Sequence, residues 1–74
     1  MKASDISDER MLVALRHDMT SIGASNWRIA RDNGWPEKIV IAKLSTMMRR
    51  RGLVDGCNCG CRGDWTIIQE ALDA

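Results

Sequence analysis

The chain has 74 residues, 45% of them hydrophobic, and a formal net charge of +1. This length suits one small domain, predicted over residues 1–74 with flexible ends. No apolar run approaches the roughly 20 residues of a membrane span, and the polar N-terminus lacks the apolar segment of a signal peptide. Three cysteines are an odd number for a secreted disulfide framework, so we predict a cytoplasmic protein.

Charge is unevenly distributed along the chain. Residues 1–37 contain five basic and six acidic side chains, whereas residues 38–62 contain six basic side chains and one acidic side chain, Asp55. A basic surface, if the protein has one, is therefore expected to come from the second half of the chain.

The first helix is predicted to begin after Ser7, a good N-cap residue that is followed by two acids in the first turn. Ile6 and Met11 have the spacing of a hydrophobic staple. The helix should end between His17 and Met19, with His17 at the surface near its C-terminus. Its buried stripe is predicted to be Met11, Leu12, Leu15 and Met19. Residues 20–23 are too rich in helix breakers to be helical, so a brief extended segment is expected.

Two further helices follow at close spacing. One is predicted from Ser25 to Asp32, with Trp27, Ile29 and Ala30 facing inward, and Asn33-Gly34 stops it. The next runs over residues 36–51, with Pro36 in its first turn and Gly52 just past its end. Helical periodicity divides this helix into an apolar face and an acid-free outer face. The apolar face comprises Val40, Ile41, Leu44, Met47 and Met48; the outer face comprises Lys38, Ala42, Lys43, Thr46, Arg49 and Arg50.

The chain after Gly52 is predicted to form a small sheet. Leu53 and Val54 suit the start of a strand, and residues 64–69 (DWTIIQ) are rich in β-branched and aromatic side chains. Turn-forming residues separate the two segments. The predicted core comprises Leu12, Leu15, Ile29, Val40, Leu44, Met47, Leu53 and Ile67, and Trp65 is expected to cover the sheet.

This order of elements resembles the winged helix-turn-helix family, small DNA-binding domains of bacterial and phage transcription regulators. The resemblance rests on residues 25–30 (SNWRIA), Asn33-Gly34, the Leu44–Met47 spacing and Gly52-Leu53-Val54, and it covers residues 7–69. It implies a mainly α fold with a small β-hairpin (α+β): three helices plus a two- or three-stranded antiparallel wing. Two features depart from the family pattern: the third helix is about one residue longer, and the wing contains cysteines where charged residues are usual.

The resemblance also implies a function and a set of contacts. Helix 36–51 would lie in the major groove of double-stranded DNA, and the protein would regulate transcription. The residues facing base edges would be Lys38, Ala42, Lys43 and Thr46. The residues contacting phosphates would be Ser25, Asn26, Arg28, Arg49, Arg50 and Arg62. We expect the stem of Arg51 to pack near the buried edge of the helix.

The CxCxC segment formed by Cys57, Cys59 and Cys61 leaves several interpretations open. The three thiolates could bind a metal if His17, Asp55, Asp64 or a second chain supplied a fourth ligand. The wing is also loosely similar to the cysteine-bearing wings of regulators of bacterial ferrous-iron uptake. A Cys57–Cys61 disulfide is a third interpretation, and three small residues in a tight hairpin is the favoured one. We therefore predict no metal and no cofactor.

Catalysis has little support in the sequence. A single histidine fits no nucleophile–base motif, and no glycine loop has the context of a phosphate site, so we predict that the protein is not an enzyme. Two alternatives to DNA binding remain: a winged helix that serves as a protein-interaction adaptor, and a metal- or redox-responsive regulator that uses the wing cysteines. Because one small domain binds weakly, a homodimer or a protein partner is expected.

Overall fold

The computed structural model describes residues 1–56 and 63–68. Within them lie three α-helices and a two-stranded antiparallel sheet, so the predicted α+β fold class is confirmed. The arrangement is consistent with a small winged-helix fold. The helices are α1 (Asp8–His17), α2 (Asn26–Asn33) and α3 (Glu37–Thr46), and a 3₁₀ turn (Ala3–Asp5) precedes them. A π-helical turn (Met47–Arg51) extends α3, and strands β1 (Val54–Asp55) and β2 (Thr66–Ile67) follow.

The helix ends follow from local sequence signals. The Ser7 hydroxyl accepts a hydrogen bond from the Arg10 amide at 3.1 Å, which caps α1 as predicted. Gly34 and Gly52 adopt the left-handed conformation, with φ of 69° and 62°, and end α2 and the π-helical turn. Pro36 was predicted within the first turn of its helix, and this position is wrong. Its ψ of 136° makes it the residue that precedes α3.

The sheet is shorter than predicted, and the segment before α2 extends it. Val54 pairs with Ile67, and Asp55 pairs with Thr66. Trp65 pairs instead with Ala24, through backbone hydrogen bonds of 2.7 and 3.0 Å. The base of the sheet is therefore attached to the connection between α1 and α2, which adds a third extended segment.

The core lies between the helices and the sheet. Leu15, Ile29, Val40, Leu44 and Met47 are all fully buried, as predicted, whereas Leu12, Leu53 and Ile67 are partly buried against them. Two predictions of burial are wrong, because Met19 and Trp27 are exposed. Trp27 lies on the outer side of α2, where the guanidinium groups of Arg28 and Arg31 stand 5.7 and 5.8 Å from its ring.

Across the described ranges, no helix is long and apolar enough to cross a membrane.

Candidate nucleic-acid interface

The junction of α2 and α3 is fixed by a side-chain contact between the two helices. The Asn26 amide donates a hydrogen bond of 2.8 Å to Oε1 of Glu37, and Asn26 is fully buried. The first turns of α2 and α3 therefore lie side by side. The expectation that Asn26 contacts a phosphate is wrong, because its side chain is buried in this junction.

The outer face of α3 is exposed along most of its length. Lys38, Ala42, Thr46, Arg49 and Arg50 are all exposed, as the helical period predicted. Within the described part of the chain, Lys38, Arg49 and Arg50 form no ion pair. The Thr46 hydroxyl donates a 3.0 Å hydrogen bond to the Ala42 carbonyl, which leaves its lone pairs and methyl group available to a ligand. We call these five residues the outer face of α3.

Lys43 was predicted to belong to this face, and the prediction is wrong. Its Nζ donates a 2.7 Å hydrogen bond to Oδ1 of Asp8, and its side chain is only 12% exposed. The guanidinium of Arg51 bonds the other oxygen of Asp8. The Arg51 side chain is 62% exposed, so it is not packed at the buried edge of the helix as expected. One carboxylate at the start of α1 thus pairs with two cations of the basic half and offsets one of their two positive charges.

The Asp8→Asn substitution tests the importance of this ion triad. We expect a loss of about 1–3 kcal/mol in the free energy of unfolding, because Lys43 would remain largely buried beside a neutral partner. Urea denaturation followed by circular dichroism measures the loss. Glu9→Gln, an exposed acid in the same helical turn, is the matched control. Equal losses in both variants would mean that the lost stability comes from the interaction of these acids with the helix dipole and not from the ion triad.

Of the remaining predicted phosphate contacts, the structure describes the two at the start of α2. Ser25 and Arg28 are partly buried. A Cβ on Gly63 would collide with the Ser25 hydroxyl, so the backbone of Gly63 covers part of Ser25. Nε of Arg28 is buried without a hydrogen-bond partner in the described part of the chain. Arg62 and the three cysteines Cys57, Cys59 and Cys61 lie outside the described residues.

A second polar cluster lies away from the outer face of α3, where α1 ends beside α2. Nδ1 of His17 is 3.4 Å from Oδ1 of Asp18. Burial raises the pKa of the Asp18 carboxyl, and the nearby Asp32 carboxyl raises it further; the same contact lowers the pKa of Asp32. The sequence analysis missed this cluster because His17 was considered only as a surface residue or as a partner of the wing cysteines.

No family model, no curated protein and no solved structure matches this chain. Two features of the described residues bear on function: the fixed α2–α3 junction and the unpaired cations beyond it.

Proposed function

We propose that this protein binds double-stranded DNA through the outer face of α3 and regulates transcription in the cytoplasm. The observation that carries the proposal is the contrast between two sets of cations. Lys43 and Arg51 share Asp8 as an ion-pair partner. Lys38, Arg49 and Arg50 form no ion pair with any described residue and share a face that has no acid. Unpaired cations on one side of an exposed helix are the pattern expected of a phosphate-binding surface.

The spacing along the helix suits a division of roles. The major groove, about 12 Å wide, admits a helix. Lys38 and Arg49 are about 16 Å apart along the axis of that helix, at the normal helical rise, so they would meet different parts of the duplex. Lys38, Ala42 and Thr46 would face base edges from the first part of the helix, where Ala42 and the Thr46 methyl could contact a thymine methyl. Arg49 and Arg50 lie near the end, where a recognition helix rises toward the backbone.

Few phosphate contacts imply modest affinity for a single chain. Each neutralised phosphate adds only about 0.9 to the slope of log affinity against log salt. A homodimer that places two copies of α3 one helical turn apart, or a protein partner, would supply the missing affinity. We therefore expect the functional DNA complex to contain more than one protein chain.

A salt titration of binding to a random duplex, followed by fluorescence anisotropy, tests the proposal. We expect Arg49→Ala and Arg50→Ala each to weaken binding to all sequences and to lower the salt slope by about 1. Lys38→Ala should cost about 1–3 kcal/mol on a preferred site selected from a random pool, and less on random DNA. Arg16→Ala, which removes an exposed arginine of α1, is the charge-matched control and should change little.

Unchanged binding in both Arg49→Ala and Arg50→Ala would exclude DNA binding through this face. Negligible duplex affinity of the parent protein at low salt would favour the second candidate, a protein-interaction adaptor. Two exposed apolar side chains support that candidate: Ile22 is 74% exposed and Trp27 is 49% exposed.

A further inference from the structure

Three metal-ligating side chains converge where α1 ends beside α2. His17 and Asp18 come from the end of α1, and Asp32 comes from α2. One donor atom from each residue lies within 4.8 Å of the donor atoms of the other two. His17 and Asp32 also line an open groove between the two helices, together with Arg10, Val13, Ala14 and Asn33, so an ion has a path from solvent.

Asp18 is placed unfavourably for a charged carboxylate, and either a proton or a metal cation would relieve it. Its side chain is only 5% exposed, and its Oδ2 is buried without a hydrogen-bond partner among the described residues. It lies just past the C-terminus of α1, where the helix dipole disfavours negative charge, and it faces a second carboxylate, Asp32. The neighbouring His17 is 78% exposed, and its 3.4 Å contact leaves Oδ2 unpaired.

We propose that His17, Asp18 and Asp32 form a binding site for a divalent first-row transition-metal cation. One imidazole nitrogen and two carboxylates suit zinc and its neighbours, and water would fill the remaining positions. Bonds of about 2.0–2.2 Å require the donor atoms to move closer together by roughly 1 Å. Asp18 is the fixed ligand, whereas His17 and Asp32 are more exposed and can turn toward it. Asp32 would give up its 3.4 Å contact with Nε of Arg31 when it binds the ion.

Binding at this site would join α1 to α2 and stabilise the folded chain by mass action, because the unfolded chain lacks the site. Zinc is the probe, and the background is the full chain with Cys57, Cys59 and Cys61 all replaced by serine, which removes the competing thiolates. Thermal unfolding is measured with zinc and with a chelator. At a hundredfold excess of zinc over its Kd, we expect Tm to rise by about 10 °C or more.

Matched variants locate the effect. Asp32→Asn and His17→Gln change exposed side chains, so both should fold; both should lose most of the rise in Tm. Glu9→Gln, an exposed acid elsewhere on α1, should keep it. If the serine background does not fold, calorimetric titration of wild type and Asp32→Asn gives the same comparison, and the variant should bind one fewer zinc ion.

Two results would overturn the site. The first is that zinc neither raises Tm nor binds in a way that depends on Asp32. The second is that the Asp32→Asn variant responds to zinc as strongly as its parent does. No DNA is present in these measurements, so their outcome is independent of the proposed DNA binding.

Discussion

Replacing Trp65 with alanine is expected to lower the free energy of unfolding by about 3–5 kcal/mol. Trp65 is the largest fully buried side chain in the described part of the protein. Its ring lies against Gly56, where a Cβ would come within 2.7 Å of it, and its backbone pairs with Ala24. A domain of this size has about 4–11 kcal/mol of total stability, so the substitution should remove a large share of it.

Urea denaturation measures this loss, and Trp27→Ala is the matched control. Trp27 is 49% exposed, so the same deletion there should change stability by about 0.5 kcal/mol or less. Equal effects of the two substitutions would contradict the burial of Trp65. Because the two variants delete the same atoms, their difference chiefly reports the burial of Trp65, reduced by the loss of the contacts of Trp27 with Arg28 and Arg31.

Leu44→Ala should cost about 2–5 kcal/mol, the second-largest effect expected. Leu44 is fully buried on the inner face of α3, next to Val40 and Met47. The substitution leaves a cavity beneath the helix that carries the proposed DNA-binding face, while alanine preserves helix propensity. The loss therefore reports packing and not helix formation.

Thermal unfolding of Leu44→Ala should show a fall in Tm of about 8 °C or more, since 1 kcal/mol shifts the Tm of a small domain by about 4–8 °C. Val13→Ala is the control, because Val13 lies on α1 and is 57% exposed. That change removes methyl groups from the surface and should leave Tm nearly unchanged. A Tm for Leu44→Ala equal to that of the parent would contradict the core described here.

Signals local in sequence predicted most of the fold. Ser7 marks the start of a helix, and Gly34 and Gly52 each mark the end of one, for reasons that involve only a few neighbouring residues. The helical period likewise identified Leu44 as buried and Arg49 as exposed. Trp27 was misplaced because an indole has a strong apolar tendency, and the sequence did not show that two arginines would stack on it.

Contacts between distant residues set the limits of the site predictions. Lys43 occupies a position at the edge of the outer face, and its partner Asp8 is 35 residues away. The position of Asn26 at the start of a helix predicts a phosphate contact. Its hydrogen bond to Glu37, eleven residues further along the chain, instead holds it in the buried α2–α3 junction. The His17, Asp18 and Asp32 cluster required knowing how α1 ends against α2, which no spacing rule supplies.

Asp8 acts as a built-in counterion for Lys43 and Arg51. A duplex approaching the proposed face would gain less from these two cations, since Asp8 offsets one of their two positive charges within the chain. The indiscriminate attraction to any phosphate backbone is correspondingly smaller than the arginine and lysine content suggests. Discrimination between a preferred site and the large excess of random genomic sequence depends on the ratio of two affinities. Phosphate contacts contribute alike to both affinities, so the ratio would come from the side chains of the proposed face that meet the bases.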